Sequence, residues 1–233
     1  MQQAQRAGVA GAGAPDFATL RETMVERQIR TFDVSDLRVV ARFREVAREK
    51  FVAPAQAPIA YSDLEVRLPS ADGGRSMLAP LVAARALQAL EIAPSDRAMI
   101  VGDGAGYLAA IVAGLASSVI SLESDDLLSK DAAAALTGLG DTATAVRGPL
   151  RAGAKDHGPY DVILVAGGVE EGLDALFAQL RDEGRLLAFH PQAGAAARAT
   201  LYRKVDGGLF PRNVFEAQAR LLPEFRKPAA FSF

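Results

Sequence analysis

The sequence has no cysteine, no tryptophan and only two histidines among its 233 residues. Without cysteine there is no disulfide framework, no thiolate zinc site and no cysteine nucleophile, and the redox compartment cannot be read from thiols. With His157 and His190 alone, a histidine-rich metal centre is excluded and no metal is expected. An excess of one charge is also lacking: 26 Lys and Arg stand against 28 Asp and Glu, for a net charge of -2. No dense basic run supplies the electrostatic footprint of a nucleic-acid binder, so no nucleic-acid role is expected. Uninterrupted apolar runs stay below the roughly 18 residues of a membrane span. No membrane association is expected, and the cytoplasm is the default location. The opening MQQAQRAGVAGAGAP lacks the apolar centre of a signal peptide, and residues 1–14 read as a disordered tail.

What is present is apolar material, 50% of the chain, enough for one large domain. The expectation is a single domain over 15–233, with a helical and loop region at 15–80 and a cofactor-binding core at 81–233. Asp16 reads as an N-cap for a helix carrying Phe17, Leu20, Met24 and Ile29 at helical spacing. Ser35 reads as the next cap, before Leu37, Val40, Phe43 and Val46. The prolines of FVAPAQAP end that helix. Residues 60–80 mix glycines, polar residues and short apolar pairs, the composition of a loop or small hairpin. Pro80 then suits the first helical position of PLVAARALQALE.

Beyond this point short apolar runs alternate with helical stretches. AMIVG (98–102), SVISLE (118–123), TATAVR (142–147), DVILVA (161–166) and RLLAFH (185–190) are strand-like. YLAAIVAGLA, DDLLSKDAAAALTGL and EEGLDALFAQLRDEG between them read as crossover helices. The pattern predicts an α/β, Rossmann-like doubly wound fold with a mainly parallel sheet and an N-terminal helical extension. Asp206-Gly207-Gly208 between two β-like runs predicts a hairpin, hence antiparallel strands at the C-terminal end.

Gly102, Gly104 and Gly106 lie immediately after the first of these strands and before a helix, where bare backbone can approach a ligand and helix N–H groups face it. Glu123 ends the next strand, 21 positions after Gly102. In a doubly wound sheet the two places adjoin, so that carboxylate can accept both hydroxyls of a ribose. The spacing is G-x-G-x-G rather than the G-x-G-x-x-G of dinucleotide dehydrogenases. That form is familiar in S-adenosylmethionine methyltransferases, whose cofactor has no phosphate.

With MVERQIR (24–30), REVAREKFV (44–52), AYSD (60–63), GDGAGYLAA (102–110), GPYDVILVAGG (158–168) and LRDEGRLLA (180–188) in order, the chain resembles the protein-L-isoaspartate O-methyltransferases. These are class I S-adenosylmethionine-dependent enzymes, and the chain is similar to a divergent bacterial branch of them. The resemblance implies methyl transfer from S-adenosylmethionine to the α-carboxyl of an isoaspartyl residue in a protein or peptide. It places Gly102, Asp103, Gly104, Gly106, Glu123, Pro149 and Leu150 at the cofactor, Ser76 near the reacting groups, and Tyr61 and Asp63 on the substrate side. Three positions depart from the family pattern. Ser76-Met77-Leu78-Ala79-Pro80 keeps a hydroxyl at Ser76 but has Leu78 where a second hydroxyl is usual. Ile100 stands where the first cofactor strand commonly carries an acid, and Gly148-Pro149-Leu150 stands where the family often has Gly-Asp-Gly with its Asp on the adenine.

Asp103 has two readings: a carboxylate that replaces the missing acid, or an exposed loop residue that stabilises the turn. Tyr61 and Asp63 are equally compatible with a core edge and a turn former. Tyr107 reads as packing, His157 and His190 as satisfied edge residues, and Asp161 as a structural cap. Two other functions stay open beside carboxyl methyl transfer: a catalytically impaired methyltransferase-like binding or regulatory protein, and a methyltransferase of this fold with another substrate.

Overall fold

In the computed structural model, which describes residues 15–228, Asp16 caps α1 (Phe17–Met24) by accepting the N–H groups of Ala18 and Thr19 at 3.1 and 3.2 Å. The tail expected over residues 1–14 lies outside the described residues. A π-helical turn, Val25–Ile29, continues α1. The cap of α2 (Leu37–Glu45) is Asp36, not Ser35. The Asp36 carboxylate accepts the Arg38 N–H at 2.9 Å, while the Ser35 N–H is itself taken by Gln88 at 2.7 Å. Between 60 and 80 the chain makes a small antiparallel pair, β1 (Val66–Arg67) with β2 (Ser76–Met77). Pro80 opens α3 (Pro80–Ala89), where its missing N–H has no helical partner to lose.

The main sheet is built from β3 (Arg97–Val101), β4 (Ser118–Glu123), β5 (Ala143–Arg147), β6 (Tyr160–Gly168), β7 (Leu180–Gln192), β8 (Ala195–Val205) and β9 (Gly208–Ala217). Their order across the sheet is β5-β4-β3-β6-β7-β8-β9. Pairings from β5 through β7 are parallel, and those of β7 with β8 and β8 with β9 are antiparallel. The mainly parallel sheet with an antiparallel C-terminal ending is thus present, and each strand-like run forms a strand. Asp206 and Gly207 both take positive φ, 50° and 77°, as a two-residue hairpin turn between twisted strands requires.

Helices α4 (Tyr107–Val112) and α5 (Asp126–Leu136) make the first two crossovers. The third departs from expectation: α6 (Asp174–Ala178) is only five residues long, and the strand that follows starts at Leu180 rather than Arg185. Leu180 already pairs with Tyr160, and a register shift before Val162 absorbs the extra residues.

Alternation along the buried strands sorts the core into two layers. Ala98, Ile100, Val119, Val162, Leu164, Leu187 and Phe189 face the layer that also contains the apolar faces of α1 to α4. Met99, Val101, Leu122, Ile163, Val165, Leu186 and Ala188 face the other, closed by Leu150, Leu173, Leu176, Leu222 and Phe225. Both faces being covered explains why these strands read as continuous apolar runs. From β3 the chain winds outward through β4 to β5, then returns to the opposite side of β3 with β6. The carboxyl end of β3 is therefore the switch point at which ligands of such sheets bind.

Candidate functional site

The turn leaving β3 is possible because three of its residues lack a Cβ. Gly104 and Gly106 hold φ of 65° and 90°, values strained for any L side chain. At Gly106 a Cβ would also stand 3.2 Å from the Ala132 backbone, so the glycine lets α4 and α5 approach. The tight path carries Asp103 inward. It is buried, its Oδ1 accepts the Leu108 N–H and its Oδ2 the Ala109 N–H, both at 2.9 Å, and the Ser121 hydroxyl donates to Oδ2 at 3.2 Å. Burial pushes its carboxyl up to about 6, against the lowering effect of those three hydrogen bonds. Asp103 is therefore neither an exposed turn former nor a free cofactor acid; its oxygens are spent on the first turn of α4.

Glu123 ends β4 with its carboxylate fully buried beside this turn. Oε2 accepts the Gly104 N–H at 3.1 Å, and Oε1 accepts the N–H groups of Ser124 and Asp125 at 2.7 and 2.9 Å. The structure thus joins the glycine turn to the acid that sequence spacing assigned to it. It also brings two residues that sequence reasoning missed. Arg75, buried in the β1–β2 hairpin, donates from Nε to both Glu123 oxygens at 3.0 and 3.2 Å. Glu224, from the C-terminal turn Pro223–Phe225, accepts from Arg75 Nη1 at 3.1 Å and also pairs with Nη2. Burial works against the guanidinium charge, yet Glu224 and Glu123 outweigh it and hold the Arg75 pKa above its ordinary value. Burial likewise disfavours the Glu224 anion, but Arg75 and the Ser124 hydroxyl outweigh it and pull its pKa down.

The remaining site residues divide. Leu150 follows β5 and Pro149 in a short helical turn; its side chain packs over Gly102 together with Leu222, the Cδ1 atoms lying 3.3 and 3.2 Å from where a Gly102 Cβ would stand. Leu68 fills the corresponding place at Gly104. Ser76, Leu78 and Asp103 line one cavity of about 10 Å³ with Arg48 and Tyr107, room for about one water molecule. The Ser76 hydroxyl donates to Glu65 at 3.3 Å. Buried Arg48 lies 4.8 Å over the Tyr107 ring and donates to the carbonyls of Ala60 and Leu78, both at 2.7 Å.

Tyr61 and Asp63 do not reach this cavity. The Tyr61 hydroxyl donates to Glu49, and Asp63 accepts the Leu81 N–H at 3.1 Å, so one ties the segment before the hairpin to the turn Arg48–Phe51 and the other caps α3. The histidines are apart as well. His190 bridges the Val169 carbonyl and the Tyr202 hydroxyl at 3.0 and 2.9 Å, and the His157 carbonyl accepts from Arg97. Asp161 accepts the Arg97 N–H and pairs with Arg181. Among the described residues no three His, Asp or Glu converge as a metal site, and no helix is long and apolar enough to cross a membrane.

A nucleoside cofactor would need the Glu123 oxygens and the space above Gly102 and Gly104. The buried carboxylate and the bare turn are the right donor set. In the arrangement described, however, Arg75 holds the carboxylate, and Leu68, Leu150 and Leu222 lie on the glycines, so the nucleoside place is closed.

Residues 19–217 match the family described as Protein-L-isoaspartate(D-aspartate) O-methyltransferase (PCMT). The chain is 37% identical over 180 residues to a protein-L-isoaspartate O-methyltransferase of Koribacter versatilis (strain Ellin345), covering 76% of this chain and 80% of that one. It is 36% identical over 204 residues to a protein of the same name from Methylorubrum extorquens (strain PA1), covering 88% and 86%. Its fold is similar to that of a Plasmodium falciparum protein crystallised with S-adenosyl-L-homocysteine, with a TM-score of 0.73 at 20% identity over 91% of this chain and 100% of that chain.

Proposed function

The chain belongs to the protein-L-isoaspartate O-methyltransferase family, and we infer from that premise that it transfers a methyl group from S-adenosylmethionine to the free α-carboxylate of isoaspartyl residues in proteins or peptides. The observation that carries this reading is the family match across residues 19–217, which runs from α1 to the last strand and includes the glycine turn and Glu123. A carboxylate is already a competent nucleophile toward a sulfonium methyl, so the reaction asks the protein for alignment and exclusion of water more than for a strong base.

In this reading Gly102, Gly104 and Glu123 receive the nucleoside, with Pro149 and Leu150 at its base. Leu150, fully apolar and buried, offers the base a packing surface in place of a hydrogen-bonding carboxylate. Ser76 supplies the one hydroxyl of its segment beside the cavity that Leu78 also lines. Asp103 contributes by fixing the N-terminal turn of α4, and Tyr61 and Asp63 by fixing the segment before the hairpin and the start of α3. The experiment is transfer of labelled methyl from S-adenosylmethionine to an isoaspartyl peptide beside its normal aspartyl twin. Base-labile label on the isoaspartyl peptide alone is expected; equal labelling of the two, or none on either, would overturn the reading.

A further inference from the structure

We propose that Arg75 is an internal ligand of the cofactor carboxylate, which occupies Glu123 where the ribose hydroxyls would bind and must leave it before the cofactor enters. The proposal rests on the functional reading above, since it takes Glu123 as the ribose acid.

A carboxylate has about four lone-pair positions. On Glu123, Gly104 and Arg75 use those of Oε2, while Ser124, Asp125 and the shared Arg75 Nε–H use those of Oε1. The backbone donors belong to the turn and to the entry of α5 and are fixed by the fold. Apart from a long 3.5 Å contact of the Ser124 hydroxyl with Oε1, Arg75 is the side-chain partner, and it is the one that touches both oxygens, so its departure is what can leave both facing a ligand. The Nε–H of the guanidinium is shared between both carboxylate oxygens, the place where a ribose would present its two hydroxyls.

Arg75 also has somewhere to go. Its outer edge faces Glu224, Asp72 and the Ser124 hydroxyl, at 3.1 Å to Glu224 Oε2, 3.6 Å to Asp72 and 2.8 Å to Ser124 Oγ. The side chains of Glu224 and Asp72 are 26% and 43% exposed, whereas that of Arg75 is 1% exposed. Rotation outward would keep the cation paired with Glu224 and Asp72, which it already contacts, while leaving Glu123 to its backbone donors and the incoming ligand.

The same movement would clear the rest of the site. Leu68 on Gly104 and Arg75 on Glu123 belong to one hairpin, joined by the Leu68 N–H bond to the Arg75 carbonyl at 3.0 Å. Leu222 on Gly102 and Glu224 belong to one C-terminal segment, and Pro223 packs on Gly74 of the hairpin. The two segments thus meet over the carboxyl edge of β3 and β4 as a single closure with Arg75 at its centre.

A closure of this kind weakens apparent affinity by the fraction of molecules that are open: a 10% open population gives a tenfold higher apparent Kd. The test is titration calorimetry of the full chain with S-adenosylhomocysteine, for the unaltered protein, Arg75→Gln and Arg75→Lys, with thermal unfolding of each. Gln keeps length but loses the charge. Lys keeps the charge but cannot present two edges to two carboxylates at once, and it preserves the fold if Gln does not. The expected order of affinity is Gln above Lys above Arg, with at least a tenfold tighter Kd for Gln, although both variants melt lower. A purely structural role for Arg75 predicts lower melting with equal or weaker binding, and that result would overturn the proposal while leaving the methyltransferase reading intact. Absence of binding in all three would overturn both.

Discussion

At the scale of single residues, burial decides what each acid does. Asp103, Glu123 and Asp161 all stand at ends of apolar runs, yet only Glu123 is both buried and placed where a ligand would meet it. Its position was legible because strand, glycine turn and spacing all follow from local sequence. Its partner was not: nothing local selects Arg75 from 26 basic residues for an acid 48 positions away. The burial of Asp103 is hidden from the sequence for a related reason. An Asp between glycines usually serves an exposed turn, and only the three-dimensional path of this turn shows it beneath α4. This burial makes a pH prediction. With its carboxyl pushed from 3.8 to about 6, the folded protein keeps a proton on Asp103 between roughly pH 4 and pH 6 that the unfolded chain has lost. The contribution of this group to stability therefore falls as pH rises through that window, by on the order of 2–3 kcal/mol in total. Asp103→Asn retains an oxygen for the cap and does not titrate. Its urea-unfolding free energy measured against pH should lack this component, and parallel profiles for the two proteins would contradict the assignment.

Among the elements, those set by periodicity were readable and those set by tertiary pairing were not. The helices α1 to α5 and the strands of the sheet follow from apolar spacing and caps. The shortness of α6 does not, because the residues after it are claimed by pairing with β6, which local propensity cannot show. The link between the hairpin and α5 is another such feature. Asp125 caps α5 through the N–H groups of Leu127 and Leu128 at 3.0 and 3.1 Å, and its second oxygen holds the Ala71 N–H of the hairpin loop at 2.7 Å. Asp125→Ala should cost about 1–2 kcal/mol in denaturant unfolding, and Asp125→Ser, which keeps a capping hydroxyl, roughly half as much. Equal losses from the two would show that the hairpin tether, not the cap, carries the energy.

For the whole molecule, the sheet topology fixes the place of the site and the two segments outside the parallel core fix its state. Doubly wound sheets bind ligands at the switch point, here the carboxyl edge of β3, and family membership gives that edge its chemistry. What the family pattern alone does not reveal is that the hairpin and the C-terminal turn lie over it, joined by Arg75 between Glu123 and Glu224. The departures at Leu78, Ile100 and Leu150 are buried, and in the cavity that Leu78 lines the Tyr107 hydroxyl and Arg48 Nη1 are left without hydrogen-bond partners. The glycine turn and the buried carboxylate of Glu123 adjoin at the carboxyl edge of β3, beneath the hairpin and the C-terminal turn. The measurement that tests this most directly is a crystal structure of the chain with S-adenosylhomocysteine. The ribose hydroxyls should lie on the Glu123 carboxylate, with Arg75 turned outward onto Glu224 and Asp72. Ligand bound while the 3.0 Å Arg75–Glu123 pair persists, or bound away from Glu123, would contradict the account.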